Sequence, residues 1–332
     1  PLKYGVNQEV GDTIGPGGVF RGLRTIPVLL DICKDMEYLC PDALLINYAN
    51  PMAVNCWAMN KASKIRNVGL CHSVQGTAMQ LARYIGVTFE DVSYWVAGIN
   101  HQAFFLEYRY KGEDAYPLLW EASKKKEIYD QDRVRFEMMR YLGYFITESS
   151  HHLGEYVPYF RTTAERRKMY CEPRWFYLEI CKEAWKPHYE QIKRQISGEE
   201  PIEISRSHEY GVDIIYSSET GNPCRINGNV DNNRLITNLS QGCCVEVPSL
   251  VDKNGIHPCY VGDLPPQCAA LNRTNINVQE LGVRAALEGD KTAALQAVMF
   301  DPLTSATLTP REIEKMVDEM FKAEAHFLPQ FK

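Results

Sequence analysis

Three short apolar segments, each followed at once by polar residues, form the clearest pattern in the first third of the chain. They cover residues 44–49, 67–70 and 94–99, and their length and composition are typical of buried strands. The polar residues that follow them are Asn50, then Cys71 and His72, then Asn100 and His101. In open α/β sheets ligands bind beyond the carboxyl ends of the strands, so these residues are candidates for a binding or catalytic site.

Helical segments connect the first two strands and follow the second. Apolar positions recur every three or four residues between 19 and 40, which predicts a helix. We predict further helices at 51–63, opening with Pro51, and at about 73–85, ended by Gly86. Alternating strands and helices predict a parallel sheet with crossover helices, and the two units present amount to half of a doubly wound sheet.

The pattern changes at residue 94, where we predict the start of a mixed α+β part that covers residues 94–332. Residues 94–110 alternate in the manner of a strand and are rich in aromatic side chains. We predict further strands at 210–216, 224–230 and 243–251, and helices at 117–143, 163–198, 275–300 and 310–327. Residues 227–234 contain several Asn and Gly, which favours a hairpin loop over a set of donors for ligand hydroxyls.

The charge and composition of the chain narrow the range of its partners. The formal net charge is -6 and 45% of the residues are hydrophobic, which is ordinary for a soluble protein. This charge gives no reason to expect nucleic acid or an anionic membrane as a partner, and no apolar run approaches the roughly 20 residues that span a bilayer. Eleven cysteines without a CxxC pair indicate reduced, mostly buried thiols and a cytoplasmic location.

Cys71 and His101 are candidate metal ligands. A thiol at a strand-to-helix turn faces the helix amides, which lowers its pKa and favours the thiolate. The alternative is a buried free cysteine, and the position of both residues at strand ends makes the two interpretations about equally strong. Two protein ligands would leave positions open for substrate, which suits catalysis better than structure, and the pair alone does not select the metal.

Two further segments are candidates for the walls of a site. Residues 147–156 form the densest polar patch, with two His, two Glu, two Ser and a Tyr. Residues 12–18 form a glycine-rich loop whose backbone can approach a ligand closely, with a plain turn as the alternative. This loop lacks the spacing of a dinucleotide-binding fingerprint.

Taken together, these motifs resemble glycoside hydrolase family 4, the NAD- and metal-dependent glycosidases, and within it the α-galactosidases most of all. The stretches that carry the resemblance lie at residues 3–18, 22–27, 47–52, 69–77, 98–101, 143–150, 155–158, 227–230 and 241–247. The family resemblance implies that residues 1–93 are the C-terminal portion of a Rossmann-like NAD-binding domain, lacking its N-terminal part. Residues 94–332 would form the substrate, metal and oligomerisation part, similar in outline to the C-terminal half of lactate and malate dehydrogenases.

The resemblance also implies an unusual mechanism, outside the two-carboxylate scheme of most glycosidases. NAD takes hydride from sugar C3, a base removes the C2 proton, the glycosidic oxygen leaves by elimination, water adds and hydride returns. The substrate would be a small-molecule α-galactoside of the melibiose type, and the assembly a homodimer or homotetramer. Alternatives are an α-glucosidase or α-galacturonidase of the same family, a 2-hydroxy acid dehydrogenase, or a fragment without catalytic activity.

The roles that the resemblance implies are assigned residue by residue. Cys71 and His101 would hold Mn²⁺, and Asn50, Asn100 and Arg234 would contact the sugar. His72 would be the acid for the leaving group, although relatives that cleave phosphosugars carry an acidic residue there. Tyr156 would be the C2 base, with Tyr144 as the alternative, and a nearby cation would have to lower its pKa. Gly15, Gly17 and Asn50 would contact the cofactor.

Overall fold

The computed structural model describes residues 1–173 and 176–331, which contain fourteen α-helices and eight strands. The strands are β1 (Leu44–Asn47), β2 (Arg66–Leu70), β3 (Val92–Ile99), β4 (Gln102–Tyr110), β5 (Glu113–Asp114), β6 (Cys224–Asp231), β7 (Cys244–Asp252) and β8 (Gly255–Pro258). The helices are α1 (Gly15–Leu39), α2 (Met52–Ala62), α3 (Ser73–Ile85), α4 (Tyr116–Ser123), α5 (Lys126–Tyr129), α6 (Arg133–Leu142), α7 (Ser150–Tyr156), α8 (Ala164–Tyr170), α9 (Tyr177–Ser197), α10 (Gly211–Thr220), α11 (Pro266–Glu288), α12 (Lys291–Phe300), α13 (Pro302–Ser305) and α14 (Pro310–Ala323).

All eight strands belong to one mixed sheet. Its order is β1-β2-β6-β7-β3-β4-β5, with β8 paired to β7. Only β1 and β2 run parallel, joined by the crossover helix α2, and the other pairs are antiparallel. The predicted α/β class, a partial Rossmann-type parallel sheet followed by a mixed α+β part, is therefore confirmed. Because β6 pairs with β2, the sheet is continuous across the boundary predicted at residues 93 and 94.

The first helix shows why the predicted pattern produces this packing. Leu23, Ile26, Leu29 and Cys33 of α1 are buried, at the spacing of one helix face. This face joins a core that also contains residues of α2, α11 and the sheet. The core thus spans both predicted parts of the chain.

The region from 94 to 110 forms a hairpin of β3 and β4, whose turn consists of Asn100 and His101. The aromatic side chains of this hairpin pack with α3, α4 and α6 in a second, smaller core. The hairpin thus places His101 at the end of a well-packed strand pair.

Two predicted elements are wrong. Residues 210–216, predicted as a strand from their apolar content, belong to the helix α10, because Ile214 and Ser217 are buried one helical turn apart. Residues 227–230 of the predicted hairpin loop lie within β6, where Asn227 and Asn229 are buried. Their side-chain amides donate to the carbonyls of Val96 and Gly69, which satisfies the polar groups inside the sheet.

Candidate active site

Cys71 and His101 lie side by side in a buried polar region. Cys71 directly follows β2, and α3 begins two residues later. His101 has a φ of 61°, in the left-handed region that non-glycine residues adopt uncommonly. The Cys71 Sγ and His101 Nε2 atoms are 3.4 Å apart, and both residues are buried. The structure brings together the two residues that the sequence singles out as metal ligands.

The spacing of this pair fits two ligands of one cation. Bonds of about 2.3 Å to sulfur and about 2.1 Å to nitrogen place two tetrahedral ligands roughly 3.6 Å apart. Within residues 1–173 and 176–331, no group of three or more His, Cys, Asp or Glu side chains could hold a metal ion. A cation at Cys71 and His101 would therefore keep most of its coordination positions open for substrate or water.

Polar atoms without a hydrogen-bond partner surround the pair. They are Asn100 Nδ2, Glu148 Oε2 and Glu246 Oε2, all buried. Because burying an unpaired polar group costs free energy, this concentration of such atoms marks a place where a ligand supplies the missing partners. Glu246 Oε1 accepts a hydrogen bond from Asn229 at 3.3 Å, and burial raises the pKa of Glu246 to about 8.

The protonation of Cys71 differs from the expectation. Burial raises the pKa of its thiol, and the hydrogen bonds from Ser73 offset this only in part. The predicted lowering of the pKa by the helix amides is therefore wrong, because the site is too deeply buried for the amides to prevail. The charge of a bound cation acts in the opposite direction and favours the thiolate.

His152, from the polar patch on α7, contacts the back of His101. His101 Nδ1 lies 3.0 Å from His152 Nε2, and the Thr13 hydroxyl lies 2.7 Å from the same nitrogen. Tyr156 in turn donates its hydroxyl proton to Thr13 Oγ1 at 2.9 Å. Burial and the neighbouring His101 lower the pKa of His152, which keeps its ring neutral. The patch predicted as a site wall does line the site.

Glu148 completes this wall in a strained position. Its φ is 78°, and its backbone N–H donates to Thr77 Oγ1 while Arg135 donates to its carbonyl. Burial alone would raise the pKa of Glu148, but the hydrogen bond from Ser149 and the guanidinium of Arg135 act against burial, and the pKa lies below its usual range. The carboxylate is therefore anionic, 3.7 Å from His152 Nδ1.

Glu155 holds the glycine-rich loop against α7. Its Oε1 accepts the N–H groups of Glu9 and Val10 at 2.6 and 2.7 Å, and its Oε2 accepts that of Gly11 at 2.9 Å. A carboxylate that accepts consecutive backbone N–H groups forms strong, charge-assisted bonds. These bonds fix the segment that carries Asp12 and Thr13 to the helix that carries His152.

Residues 15–18 of the predicted glycine-rich loop form the first turn of α1, and the packing of this turn explains its glycines. A Cβ at Gly17 would lie 2.3 Å from the Gly11 carbonyl oxygen, and one at Gly15 would lie 2.7 Å from the Gln8 amide nitrogen. The loop packs against its own backbone there. The chain itself therefore accounts for glycine at both positions, and the contact of Gly15 and Gly17 with a cofactor stays a prediction.

Asn50 connects the end of β1 to the same loop. Its Nδ2 donates to Asp12 Oδ2 at 3.0 Å, and the Arg21 guanidinium contacts that oxygen at 3.1 Å. Asp12 Oδ1 is buried without a hydrogen-bond partner. Asn50 thus lies at the carboxyl end of the parallel pair, where α/β sheets bind ligands, beside an acceptor available to a hydroxyl.

His72 lies at the outer edge of the site. Its side chain is 75% exposed, and its Nδ1 is 3.6 Å from Glu209 Oε1. Glu209 also lies near the Tyr48 hydroxyl, which accepts the N–H of Gly211. The residue predicted as the acid for the leaving group is therefore on the solvent side of Cys71, beside a carboxylate.

Tyr156 lies inside the site as a proton donor. It is fully buried, its ring centroid is 6.5 Å from that of His101, and burial raises the pKa of its phenol well above 10. The phenol is therefore protonated in this structure. A role as a base needs a neighbouring positive charge, as the sequence interpretation requires.

Two predicted residues lie elsewhere. Tyr144 packs edge-on against Tyr116 in a cleft between β4 and the end of α6, because the hairpin and Gly143 turn it away from Cys71. Arg234 is exposed and follows β6 at Asp231, which lines a cleft with Arg66 at the amino end of β2. Cys71 follows the carboxyl end of β2, so this chain does not bring Tyr144 or Arg234 beside it, and their roles stay predictions.

Several site residues, among them Asp12, Thr13, Glu148, His152 and Glu246, had no individual role in the sequence interpretation. Asp12 and Thr13 lie in the glycine-rich loop, and Glu148 lies in the polar patch. The sequence therefore identified both segments as candidate site walls but gave these residues no role of their own. Glu246 carried a detectable signal, a lone acid between Val245 and Val247 in an apolar strand. Charged residues are seldom buried without a reason, so such a position indicates a site.

Comparison with known proteins establishes the family. The model of the family 4 glycosyl hydrolases matches residues 1–87, and that of the C-terminal domain of family 4 glycosyl hydrolases matches residues 96–304. The chain belongs to glycosyl hydrolase family 4. It is therefore a glycosidase by family, as the sequence motifs predict.

The chain is similar over its full length to two α-galactosidases. The chain is 44% identical to an α-galactosidase of Bacillus subtilis, over 100% of this chain and 77% of the relative. It is 39% identical to an α-galactosidase of Rhizobium meliloti, over 100% of this chain and 70% of the relative. These family 4 relatives have the activity that the motifs imply.

A solved structure shares the fold. The 6-phospho-α-glucosidase from gut microorganisms, in complex with NAD and Mn²⁺, is 20% identical with a TM-score of 0.79, over 97% of this chain and 76% of that one.

Among the described residues of the family 4 chain, no helix is long and apolar enough to cross a membrane.

Proposed function

We propose that the chain hydrolyses α-galactosides of the melibiose type, with NAD and Mn²⁺ as cofactors. The observation that carries the proposal is the Cys71–His101 pair, 3.4 Å apart among unpartnered buried polar atoms, in a chain 44% identical to an α-galactosidase. The bound NAD and Mn²⁺ of the structurally similar 6-phospho-α-glucosidase support the choice of cofactors.

Cys71 and His101 would hold the cation, and Asn50 would lie beside the cofactor. When bound, Mn²⁺ polarises the oxygens on sugar C2 and C3, while NAD accepts hydride from C3 and returns it. A thiolate and an imidazole are donors that bind divalent transition metals, and the unpartnered atoms of Asn100 and Glu246 support a ligand at this place.

The residues of the chain supply the orientation of the sugar. Asn100 has an unpartnered amide N–H₂ that can donate to a sugar hydroxyl, and Asp12 Oδ1 can accept from one. Asn50 is held by Asp12 at the edge of the same space. Three polar groups on the hairpin turn, the loop and the end of β1 can therefore hold one pyranose ring.

The two proton transfers are assigned to His72 and Tyr156. His72 is exposed at the mouth of the site, where a leaving alcohol must depart, and Glu209 lies beside it. Tyr156 is buried next to His101 and is proposed to take the C2 proton once a cation at His101 offsets the effect of burial on its pKa.

The charges of the site favour a neutral sugar over a galacturonide. The Glu148 carboxylate lies beside Cys71, the Glu209 carboxylate lies beside His72 at the mouth of the site, and the Arg21 guanidinium is paired with Asp12. A carboxylate on sugar C6 would be repelled by these groups, and within residues 1–173 and 176–331 we identify no unpaired cation beside them. This argument favours α-galactosidase over α-galacturonidase activity.

The test is an assay with p-nitrophenyl α-galactoside, α-glucoside and α-galacturonide in the presence of NAD, Mn²⁺ and a thiol reductant. We expect the galactoside to be cleaved fastest, activity to be lost with EDTA and restored by Mn²⁺, and Cys71→Ser to remove it. Cys40→Ser, at an exposed cysteine, is the control. Undiminished activity after EDTA treatment would contradict the proposal, and metal-independent oxidation of a 2-hydroxy acid would instead indicate a dehydrogenase.

The location and assembly of the protein stay predictions. A cytoplasmic location is consistent with eleven free cysteines, and a homodimer or homotetramer is expected from the family resemblance. Size-exclusion chromatography with light scattering would measure the assembly, and a monomer at micromolar concentration would contradict it.

A further inference from the structure

The two ring nitrogens of His101 face different partners. Nε2 faces Cys71 Sγ at 3.4 Å, and Nδ1 faces His152 Nε2 at 3.0 Å. A neutral imidazole carries its proton on only one of these atoms, and only the unprotonated nitrogen can bind a metal. The site can bind a cation between His101 and Cys71 only if the proton of His101 is on Nδ1.

We propose that His152 is a positioning residue, which accepts a hydrogen bond from His101 Nδ1 and thereby leaves His101 Nε2 free for the cation. The inference rests on the metal site proposed above. The rings are close and nearly perpendicular, with centroids 4.3 Å apart and an interplanar angle of 70°. This geometry suits an N–H of one ring directed at the nitrogen of the other.

The contacts of Thr13 favour His152 Nε2 as an acceptor. Tyr156 donates its hydroxyl proton to Thr13 Oγ1, so the proton of the Thr13 hydroxyl is available for another acceptor. His152 Nε2, 2.7 Å away, is the acceptor at hydrogen-bond distance. With the Thr13 proton directed at it, His152 Nε2 is unprotonated, and its lone pair is shared between the Thr13 hydroxyl and the Nδ1–H of His101.

The carboxylates on either side of His152 favour the same arrangement. Glu148 Oε2 is 3.7 Å from His152 Nδ1 and attracts the proton of His152 to that side. Asp12 Oδ1 is 3.9 Å from His152 Nε2 and acts in the opposite sense, but the charge of Asp12 is shared with Arg21. Arg135 also acts on Glu148, but Glu148 forms no other salt bridge among the described residues, so we expect it to favour protonation of His152 on Nδ1.

Hydrogen bonds thus connect the side chains of this wall. Tyr156 donates to Thr13, and both Thr13 and His101 donate to His152. Partners that orient a metal-bound histidine are often worth about 10–100-fold in metal affinity. The chain also connects the metal ligand to the glycine-rich loop, because Thr13 belongs to that loop and the loop is held by Glu155.

The test measures Mn²⁺ binding by titration calorimetry, without NAD or sugar, in wild type, His152→Leu and His152→Gln. Leu has no acceptor, so we expect about 10–100-fold weaker binding. Gln can present its side-chain oxygen near the position of Nε2, so we expect most of the affinity to be kept. His257→Leu, at an exposed histidine on β8, is the matched control and should bind as wild type does.

A second measurement does not depend on whether the variants fold. In ¹⁵N-histidine NMR of the metal-free wild type, we expect His101 to be protonated on Nδ1. Protonation on Nε2, or equal affinity of folded His152→Leu and wild type, would overturn the positioning role of His152 while leaving the metal site intact. Absence of Mn²⁺ binding in wild type would instead overturn the proposed function and this inference with it.

Discussion

The strongest test of how the site is assembled is the removal of the Glu155 carboxylate. Glu155 is buried and accepts three consecutive backbone N–H groups, from Glu9, Val10 and Gly11. In Glu155→Gln the side chain keeps its size and one oxygen, which can still accept two of the three bonds. Its NH₂ group then faces the N–H of Gly11, so that a donor meets a donor.

The size of the effect follows from these contacts. A hydrogen bond to a charged group contributes about 1.5–3 kcal/mol, and a buried donor left without an acceptor costs about 1–3 kcal/mol. Glu155→Gln loses one charged bond and weakens two others, so we expect about 3 kcal/mol of destabilisation. Glu155→Ala leaves all three donors unpaired, and we expect about 5 kcal/mol, a large part of the 5–15 kcal/mol that typical domains have.

Urea unfolding and amide hydrogen exchange measure the two consequences. The urea concentration at the midpoint of unfolding should fall for both variants, more for Glu155→Ala than for Glu155→Gln. The backbone amides of residues 9–11 should lose protection from hydrogen exchange. Glu165→Gln, at an exposed position of α8, is the control and should change neither. If Glu155→Gln leaves the midpoint and the protection of residues 9–11 unchanged, the carboxylate does not hold the loop and the reasoning is refuted.

Two further predictions concern Gly17, in the first turn of α1, and the buried carboxyl group of Asp301. Gly17→Ala should destabilise by about 1–3 kcal/mol because its Cβ would meet the Gly11 carbonyl, whereas Gly76→Ala on α3 meets open space and should be neutral or slightly stabilising in urea unfolding. Burial raises the pKa of Asp301 to about 7, despite its bonds from Thr304. The unfolded chain then ionises first, so this residue lowers stability as pH rises from about 4 to 7. Asp301→Asn should remove that part of the pH dependence in urea midpoints, and an identical slope in both proteins would contradict it.

The strand ends were predictable because the local pattern determines them. A short apolar run followed by a polar residue is sufficient to locate Asn50, Cys71 and His101, and the structure places all three around one site. The order of the sheet was not predictable in this way. β6 and β7 insert between β2 and β3, and no local pattern specifies which distant strands pair.

The back of the site was predictable only as segments. Thr13 acts through a contact to His152, 139 residues away, and its own neighbourhood is an ordinary glycine-rich loop. Tyr144 shows the opposite case, since the family resemblance suggested it as the alternative base, whereas its side chain packs against Tyr116. Long-range packing decides both outcomes, and a single sequence does not reveal it.

The insertion of β6 beside β2 has a consequence for how the chain is made. During synthesis on the ribosome, one edge of β2 stays unpaired until residues more than 150 positions later have been made, since Gly69 pairs with Asn229. Chains that depend on such distant pairing fold slowly and expose unpaired strand edges meanwhile. Cleavage at the boundary near residue 93 should therefore yield two aggregation-prone pieces rather than two autonomous modules, and nascent chains should need chaperones until β6 has emerged.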